Sequence, residues 1–487
     1  MYTTPLCISP PPRAPIHKLN GDVLLHLFML LRDVEPLSIW AISRTCSRWR
    51  DLALQHSPLW SRIVIDTSVI RHLGSNYVSS WAELWIGRSG TQQGLDITID
   101  LQDASLWQDD NPTWADIEVV LLSICRQAHR WRSFAYSLDN HIVKKKQPIG
   151  RGILTSLLAF LHSMPLLRTV HLGQGLHCRI RGLTPQYLHS FLSPEVAPQL
   201  HSLSLSNIII DGTTSTSNVE QFCYEVRDER AEPARVLSAL RAHPLMRKLH
   251  LSGWSAGLHT QFEHGRIVLE RLTELHIPPT TCMAAVLSSL HMPNLTDLTL
   301  DARHTRGDDP VEERRGRQKS PYTSKFLHYL MFQPRTMSLI TLTLHLPHHD
   351  VPWDSVLTFK SLEALRIVKP GNDRFWVTCL SDLWKLCKKS IQDDGWLGWS
   401  LPHLHSLILE ETADYEQELR EGWREVEIDI TKAFKERLEA VDEDESQMVS
   451  LRIDIVGPNR KVEIRGGSVG RVVTGSIGRT FPKEGRK

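Results

Sequence analysis

No run of the chain approaches the ~18 consecutive apolar residues of a membrane-crossing helix, which argues against a helical channel or transporter. An excess of one charge is also missing. The 56 basic and 55 acidic side chains leave a formal net charge of +1, so no global field collects polyanions such as nucleic acid. Any partner must be chosen locally. The cysteines are few and scattered: Cys7, Cys46, Cys125, Cys178, Cys223, Cys282, Cys379 and Cys387 show no C-x-x-C spacing. They match neither a disulfide framework nor a zinc site, and a reducing compartment is the simpler reading. Residues 1–15, broken by five prolines, lack the apolar core of a signal peptide. A cytoplasmic or nuclear location is therefore expected.

Motifs for chemistry are equally scarce. There is no G-x-x-x-x-G-K-[ST] loop or G-x-G-x-x-G turn, so phosphate cradling lacks its usual signatures. His348 and His349 precede Asp350, but neighbours on an extended segment point to opposite faces and do not share an ion. The carboxylates at Asp109, Asp110 and 442–445 read as solvated surface. We assign no catalytic residue, no metal and no cofactor, and expect a protein that is not an enzyme.

What the chain does have is length and an ordinary globular composition. Its 487 residues, 41% hydrophobic and 23% charged, allow two to four domains or one elongated array. Past the leader, Asn20 can cap a helix with Val23, Leu24, Leu27, Phe28 and Leu31 on one broad apolar face, and Asp22 suits its dipole. Pro36 opens a second amphipathic helix carrying Ile39, Ile42, Cys46, Trp49 and Ala53, which Ser57 and Pro58 end. Residues 19–60 read LNGDVLLHLFMLLRDVEPLSIWAISRTCSRWRDLALQHSPLW. The opening Leu19, the Val-Leu-Leu-x-Leu-Phe helix, the Cys46-x-x-Trp49 pair and the closing Pro58-Leu59-Trp60 resemble an F-box motif. Asn20 departs from it, since the family commonly has proline there.

The resemblance implies docking onto a Skp-family adaptor and, through it, a cullin. By the same resemblance, Leu19, Val23, Leu24, Leu27, Phe28 and Leu37 would face the adaptor, while Cys46 and Trp49 would pack inside the module. An ordinary three-helix bundle is the plainer alternative.

Behind this module, Ile63 to Ile65 and the alternating Leu95, Ile97 and Ile99 look like strands around a helix carrying Val78, Trp81, Leu84 and Trp85. A further helix with Val120, Leu121 and Ile124 leads to a strand-like Trp131, Phe134 and Tyr136. An apolar triplet spaced L-x-x-L-x-L then recurs at Leu167/Val170/Leu172, Leu200/Leu203/Leu205, Met246/Leu249/Leu251, Leu272/Leu275/Ile277 and Leu295/Leu298/Leu300. It continues at Leu339/Leu342/Leu344, Leu362/Leu365/Ile367, Leu404/Leu407/Leu409 and, weakly, Met448/Leu451/Ile453. Helical faces precede most copies, among them Ile153 to Leu161 and Val236, Leu237 and Leu240. The recurrence resembles a leucine-rich repeat protein, although the asparagine expected after the last leucine is mostly missing and the spacing is uneven. Insertion loops are expected at 211–230 and 303–320, which lack apolar periodicity.

The expected fold class is mixed α/β. We expect a leader (1–15), the F-box-like module (16–62), a linking α/β region (63–150), an irregular leucine-rich repeat solenoid (151–456) and a flexible or partly extended Gly/basic tail (457–487). An ordinary α/β domain with a parallel sheet is the alternative to the solenoid. Between the spaced leucines, Ser202, Ser204, Lys248, His250, Glu274, His276, Asp297, Thr299, Thr341, Thr343 and Arg366 would face outward. Polar and mixed in sign, they suit a target protein, and together with the F-box resemblance this implies a substrate-recognition subunit of a ubiquitin ligase. A repeat scaffold with no ligase role, or a divergent enzyme with a dispersed site, are the alternatives.

Overall fold

The computed structural model describes residues 18–35, 37–73, 75–101, 114–138, 163–174, 191–208, 218–225, 233–252, 266–302, 339–345, 353–369, 389–391, 397–399, 401, 403–411, 452–457 and 460–465. It divides into two compact units, Met1–Leu200 and His201–Lys487.

The first unit opens with helix α1 (Gly21–Val34), whose start is fixed by Asn20 Oδ1 accepting from the Asp22 amide at 3.4 Å. It buries Leu24 and Phe28. The single second helix expected from the periodicity is in fact two, α2 (Ser38–Thr45) and α3 (Ser47–Gln55), parted by an extended Cys46 at φ −156°, ψ 167°. Hydroxyls explain the break. Ser43 Oγ donates to the Trp40 carbonyl (2.8 Å) and Thr45 Oγ1 to that of Ala41 (3.1 Å). Such back-bonding competes with the helical ladder. Arg50 Nε then takes the Ser43 carbonyl at 3.0 Å, satisfying a C-terminal acceptor from the next helix. A 3₁₀ turn (Ser57–Trp60) closes the module, with Trp60 Nε1 donating to the Ala53 carbonyl at 2.7 Å.

The chain then alternates: β1 (Arg62–Asp66), α4 (Thr67–Leu73), α5 (Ser75–Arg88), β2 (Leu95–Leu101), α6 (Trp114–Cys125), β3 (Trp131–Leu138) and β4 (Thr169–Gln174). The four strands pair in chain order and in parallel. Trp85 on α5 fastens the helical module to them. It stacks on Trp40 at 5.7 Å and meets Trp60 edge-on at 4.8 Å and Trp81 at 4.6 Å. The first apolar triplet, on β4, thus belongs to the same sheet as the strands of the expected linking region, and the boundary between compact units falls after residue 200 rather than at 150.

In the second unit the strands are β5 (Ser202–Ser206), β6 (Gln221–Glu225), β7 (Lys248–Ser252), the short β8 (Ile267–Val268), β9 (Glu274–Ile277), the short β10 (Leu290–His291), β11 (Asp297–Asp301), β12 (Thr341–His345), β13 (Ala364–Lys369), β14 (Lys389–Ile391), β15 (Leu397–Trp399), β16 (Ser406–Glu411), β17 (Arg452–Gly457) and β18 (Arg460–Arg465). Nine of them, β5, β6, β7, β9, β11, β12, β13, β16 and β17, pair in parallel in that order. The molecule is therefore mixed α/β with a large parallel sheet.

The register explains the spacing of the apolar triplets. Leu203, Phe222, Leu249, Leu275, Leu298, Leu342, Leu365 and Leu407 fall opposite one another, and all are buried. The first member of each triplet, at Met246, Leu272, Leu295, Leu339, Leu362 and Leu404, is buried just before its strand. Backbone bonds repeat there at equivalent places: Thr273 N to Arg247 O (2.9 Å), Thr296 N to Thr273 O (3.0 Å), Ile340 N to Thr296 O (2.8 Å), Glu363 N to Ile340 O (2.9 Å) and His405 N to Glu363 O (2.9 Å). The expected helical face of Val236, Leu237 and Leu240 lies on the helix Pro233–Ala242, with all three side chains buried.

Two expectations are corrected. Residues 221–225, inside the expected insertion at 211–230, form strand β6, paired on both sides with β5 and β7. Val219, Phe222 and Tyr224 fill the places taken elsewhere by leucines, and all three are buried. Residues 460–465, assigned to the tail, pair antiparallel with β17 as β18. The expected insertion at 303–320 and the helical face at 153–161 lie outside the described residues.

Candidate recognition surfaces

Helix α1 sorts its apolar residues onto two sides. Leu24 and Phe28 turn inward, 0% and 1% exposed, with Phe28 edge-on to Trp49 at 5.2 Å. The other side carries Val23 (47% exposed), Leu27 (38%), Leu30, Leu31 and Val34. At 100° per residue these five form one continuous stripe along about three turns. Of the six residues expected at the adaptor contact, Val23 and Leu27 are exposed, Leu19 and Leu37 half-buried, and Leu24 and Phe28 belong to the module core. Leu30, Leu31 and Val34 join the exposed stripe instead. Sequence periodicity put Val23, Leu24, Leu27, Phe28 and Leu31 on one apolar face, and only the packing of α1 against α2 and α3 separates inward from outward.

The second surface is the polar face of the parallel sheet in the second unit. Side chains between the core leucines line up in rows across the strands. One row runs Ser202, Gln221, Lys248, Glu274, Asp297, Thr341, and the next runs Ser204, Cys223, His250, His276, Thr299, Thr343, Arg366. All eleven residues expected on this face sit in these two rows. All of them except Ser204, Thr343 and Arg366 line an open depression of ≈ 500 Å³ that reaches from Ser202 to Thr341. Arg366, at one end, donates Nε to Glu410 Oε2 at 2.9 Å.

The depression is built around two stacked imidazoles. His250 and His276, on adjacent strands, lie with ring centroids 4.0 Å apart. His276 Nε2 is 3.3 Å from Asp301 Oδ2, and Lys248 Nζ is 2.7 Å from Glu274 Oε1. Glu225 Oε2 accepts from Ser206 Oγ at 2.9 Å. Burial, helped by neighbouring His276, pushes the His250 pKa down to about 4, against the opposing pull of Asp301 and Glu225. Burial pushes the Cys223 thiol up, so it stays protonated and unreactive near neutrality.

A pH dependence follows. His250 protonates more readily in the unfolded chain, near 6.5, than in the folded one, near 4. Below the unfolded value the unfolded state binds more protons, so stability falls as the pH drops from 6.5 to 4 and levels off beneath. After discounting for the ring's partial exposure, the loss is about 1–2 kcal/mol. Urea unfolding followed across this range, compared with His250→Gln, is expected to show a shallower acid slope in the variant; identical slopes would remove His250 from the account. The groups facing the ring are Cys223 and Glu225 on β6, Lys248 on its own strand, Glu274 and His276 on β9, and Asp301 on β11.

Sequence reasoning missed Gln221, Cys223 and Glu225, because their strand carries aromatic residues where the leucine signature was sought. It also missed Asp301, which lies one step beyond the last leucine of its triplet. Among the described residues no group of three or more His, Cys, Asp or Glu side chains is placed to hold a metal ion, and no helix is long and apolar enough to cross a membrane. Compared with known proteins, the chain matches no protein-family model and no curated protein sequence.

Proposed function

We propose that the chain is a substrate-recognition subunit of a Skp-cullin-F-box ubiquitin ligase, with α1 to α3 acting as the F-box and the strand-and-helix body as an irregular leucine-rich repeat solenoid. The observation that carries this reading is the exposed stripe of Val23, Leu27, Leu30, Leu31 and Val34 on a helix whose other side is already packed. An apolar line of that length in water marks a protein contact. The repeating register of the second unit supports the other half, since its equivalent rows give a continuous polar face for a target protein. On this reading the chain performs no chemistry itself and acts by holding a target near a ubiquitin-charged enzyme.

The test is a pull-down of the full-length protein with a purified Skp-family adaptor. Capture is the expected result. A folded protein that does not bind the adaptor would leave a repeat scaffold with no ligase connection.

A further inference from the structure

We propose that the α1 stripe is also the contact between two copies of this chain, paired as antiparallel helices about a two-fold axis, and that the adaptor displaces the second copy when it binds. Only the displacement rests on the adaptor reading; the pairing does not. Read in either direction, the stripe gives the same residues at the same spacing. Val23, Leu27, Leu30 and Val34 are separated by four, three and four positions, and all four are exposed. At 100° per residue they fall within about 60° of one another around the helix, with the four-three alternation of a helix-pairing seam. A two-fold contact is self-complementary, so residue i meets j and j meets i. Antiparallel pairing centred between Phe28 and Met29 does this throughout, setting Val23 against the second copy's Val34 and Leu27 against its Leu30.

The flank of the seam and its area agree with that occupant. His26 and Asp33, both exposed, lie on the side of the seam away from Leu31. The same two-fold axis brings His26 to within about 3 Å, measured along the helix, of the second copy's Asp33, a favourable pair made twice. Asp33 also holds Arg32 and Arg62, and its carboxylate, 54% exposed, keeps room for a further donor. With 38–85% of each of its five side chains in water, the stripe offers roughly 400 Å² per copy, in the range of the largest apolar patch of a typical monomer. A pair with its rim then buries about 1,000 Å², the lower bound for a specific interface. Such a dimer is weak and concentration-dependent, which suits a contact that an adaptor has to open.

The experiment is sedimentation velocity of the full-length protein from about 1 to about 100 μM. A concentration-dependent dimer is expected. Leu30→Asp puts a carboxylate against the second copy's Leu27 and is expected to weaken the dimer about a hundredfold or more, with circular dichroism unchanged. Val119→Asp, on an exposed apolar residue of α6, serves as the control and is expected to leave the dimer intact. The register is read separately with Val23→Cys and Val34→Cys and a short thiol-to-thiol linker, the joined peptides being identified by mass spectrometry. The mixture of the two variants is expected to link residue 23 to residue 34. Each variant alone is expected not to link to itself, since identical positions lie ~16 Å apart along the antiparallel pair.

A protein that stays monomeric across the whole range would overturn the proposal. So would a dimer indifferent to Leu30→Asp, or one in which residue 23 links to residue 23. Adding a purified Skp-family adaptor is expected to convert the dimer to a complex with one copy of each chain; adaptor bound to an intact dimer would overturn the displacement. An adaptor that does not bind at all would remove the ligase role, while the sedimentation and linking results would still decide the pairing.

Discussion

Leu27→Asp is expected to abolish capture of the Skp-family adaptor while leaving the helical module folded. Leu27 is 38% exposed in the middle of the α1 stripe. In the free protein a carboxylate there remains hydrated and costs little. On docking it would be stripped of water against an apolar partner, with no cation in the stripe to pair with, a penalty of several kcal/mol and so a loss of about a hundredfold or more. Leu24→Asp serves as the contrast. Leu24 is 0% exposed, so its replacement puts the charge into the core and is expected to unfold the module whether or not adaptor is present. Circular dichroism beside the pull-down separates the two outcomes. A Leu27→Asp protein that still captures adaptor at wild-type level would show that the stripe is not the contact.

The second large effect is expected at Trp85→Ala. Its ring is 1% exposed and touches Trp40 of α2, Trp60 of the 3₁₀ turn and Trp81 of its own helix. Removing a buried tryptophan leaves a cavity lined by rings too stiff to collapse into it, and typical costs run about 3–5 kcal/mol. The lost ring pairs are part of that figure and are not added to it. Against a typical total of about 5–15 kcal/mol, the first unit would be left marginal. Urea unfolding of the full-length protein should show an early transition that the wild type lacks, and Trp85→Phe should recover part of the loss. A midpoint unchanged by Trp85→Ala would mean that the helical module is held by something other than this cluster. Adaptor capture should weaken too, because α2 leans on Trp85 through Trp40. For the same reason, deleting residues 1–60 would strip Trp85 of two partners, which makes point changes in the stripe the cleaner probe.

Much of this organisation was legible in the residues because spacing is enforced by geometry. A period of two on strands and of three to four on helices follows from where successive side chains point. Triplets such as Leu272/Leu275/Ile277 therefore located both the strand and its outward neighbours Glu274 and His276. Legibility failed where chemistry substitutes for the expected residue type. Phe222 and Tyr224 bury as well as leucines, yet break the lettered pattern, and they hid a strand that contributes Cys223 and Glu225 to the face. It failed again where the deciding contact is distant in sequence. Ser43 and Thr45 announce a weak point in the helix, but nothing local to them announces that Arg50 will take the Ser43 carbonyl across the break between α2 and α3. The two sides of α1 are likewise both apolar, and their difference exists only once Trp49 covers Phe28.

The repeated backbone bonds ahead of the strands carry a consequence for how such a face can change. From Arg247 to His405 each strand is entered from a residue whose amide is held by the carbonyl of the equivalent residue before it. The alignment of any strand is thus copied from its predecessor rather than set by the sheet as a whole. Loss or duplication of one entire strand-and-return segment would leave the join on either side chemically unchanged, whereas a single-residue insertion within a strand would turn its leucines to the solvent. Evolution can consequently lengthen or shorten this surface in whole steps, and alter its outward residues one by one, without redesigning the core behind it.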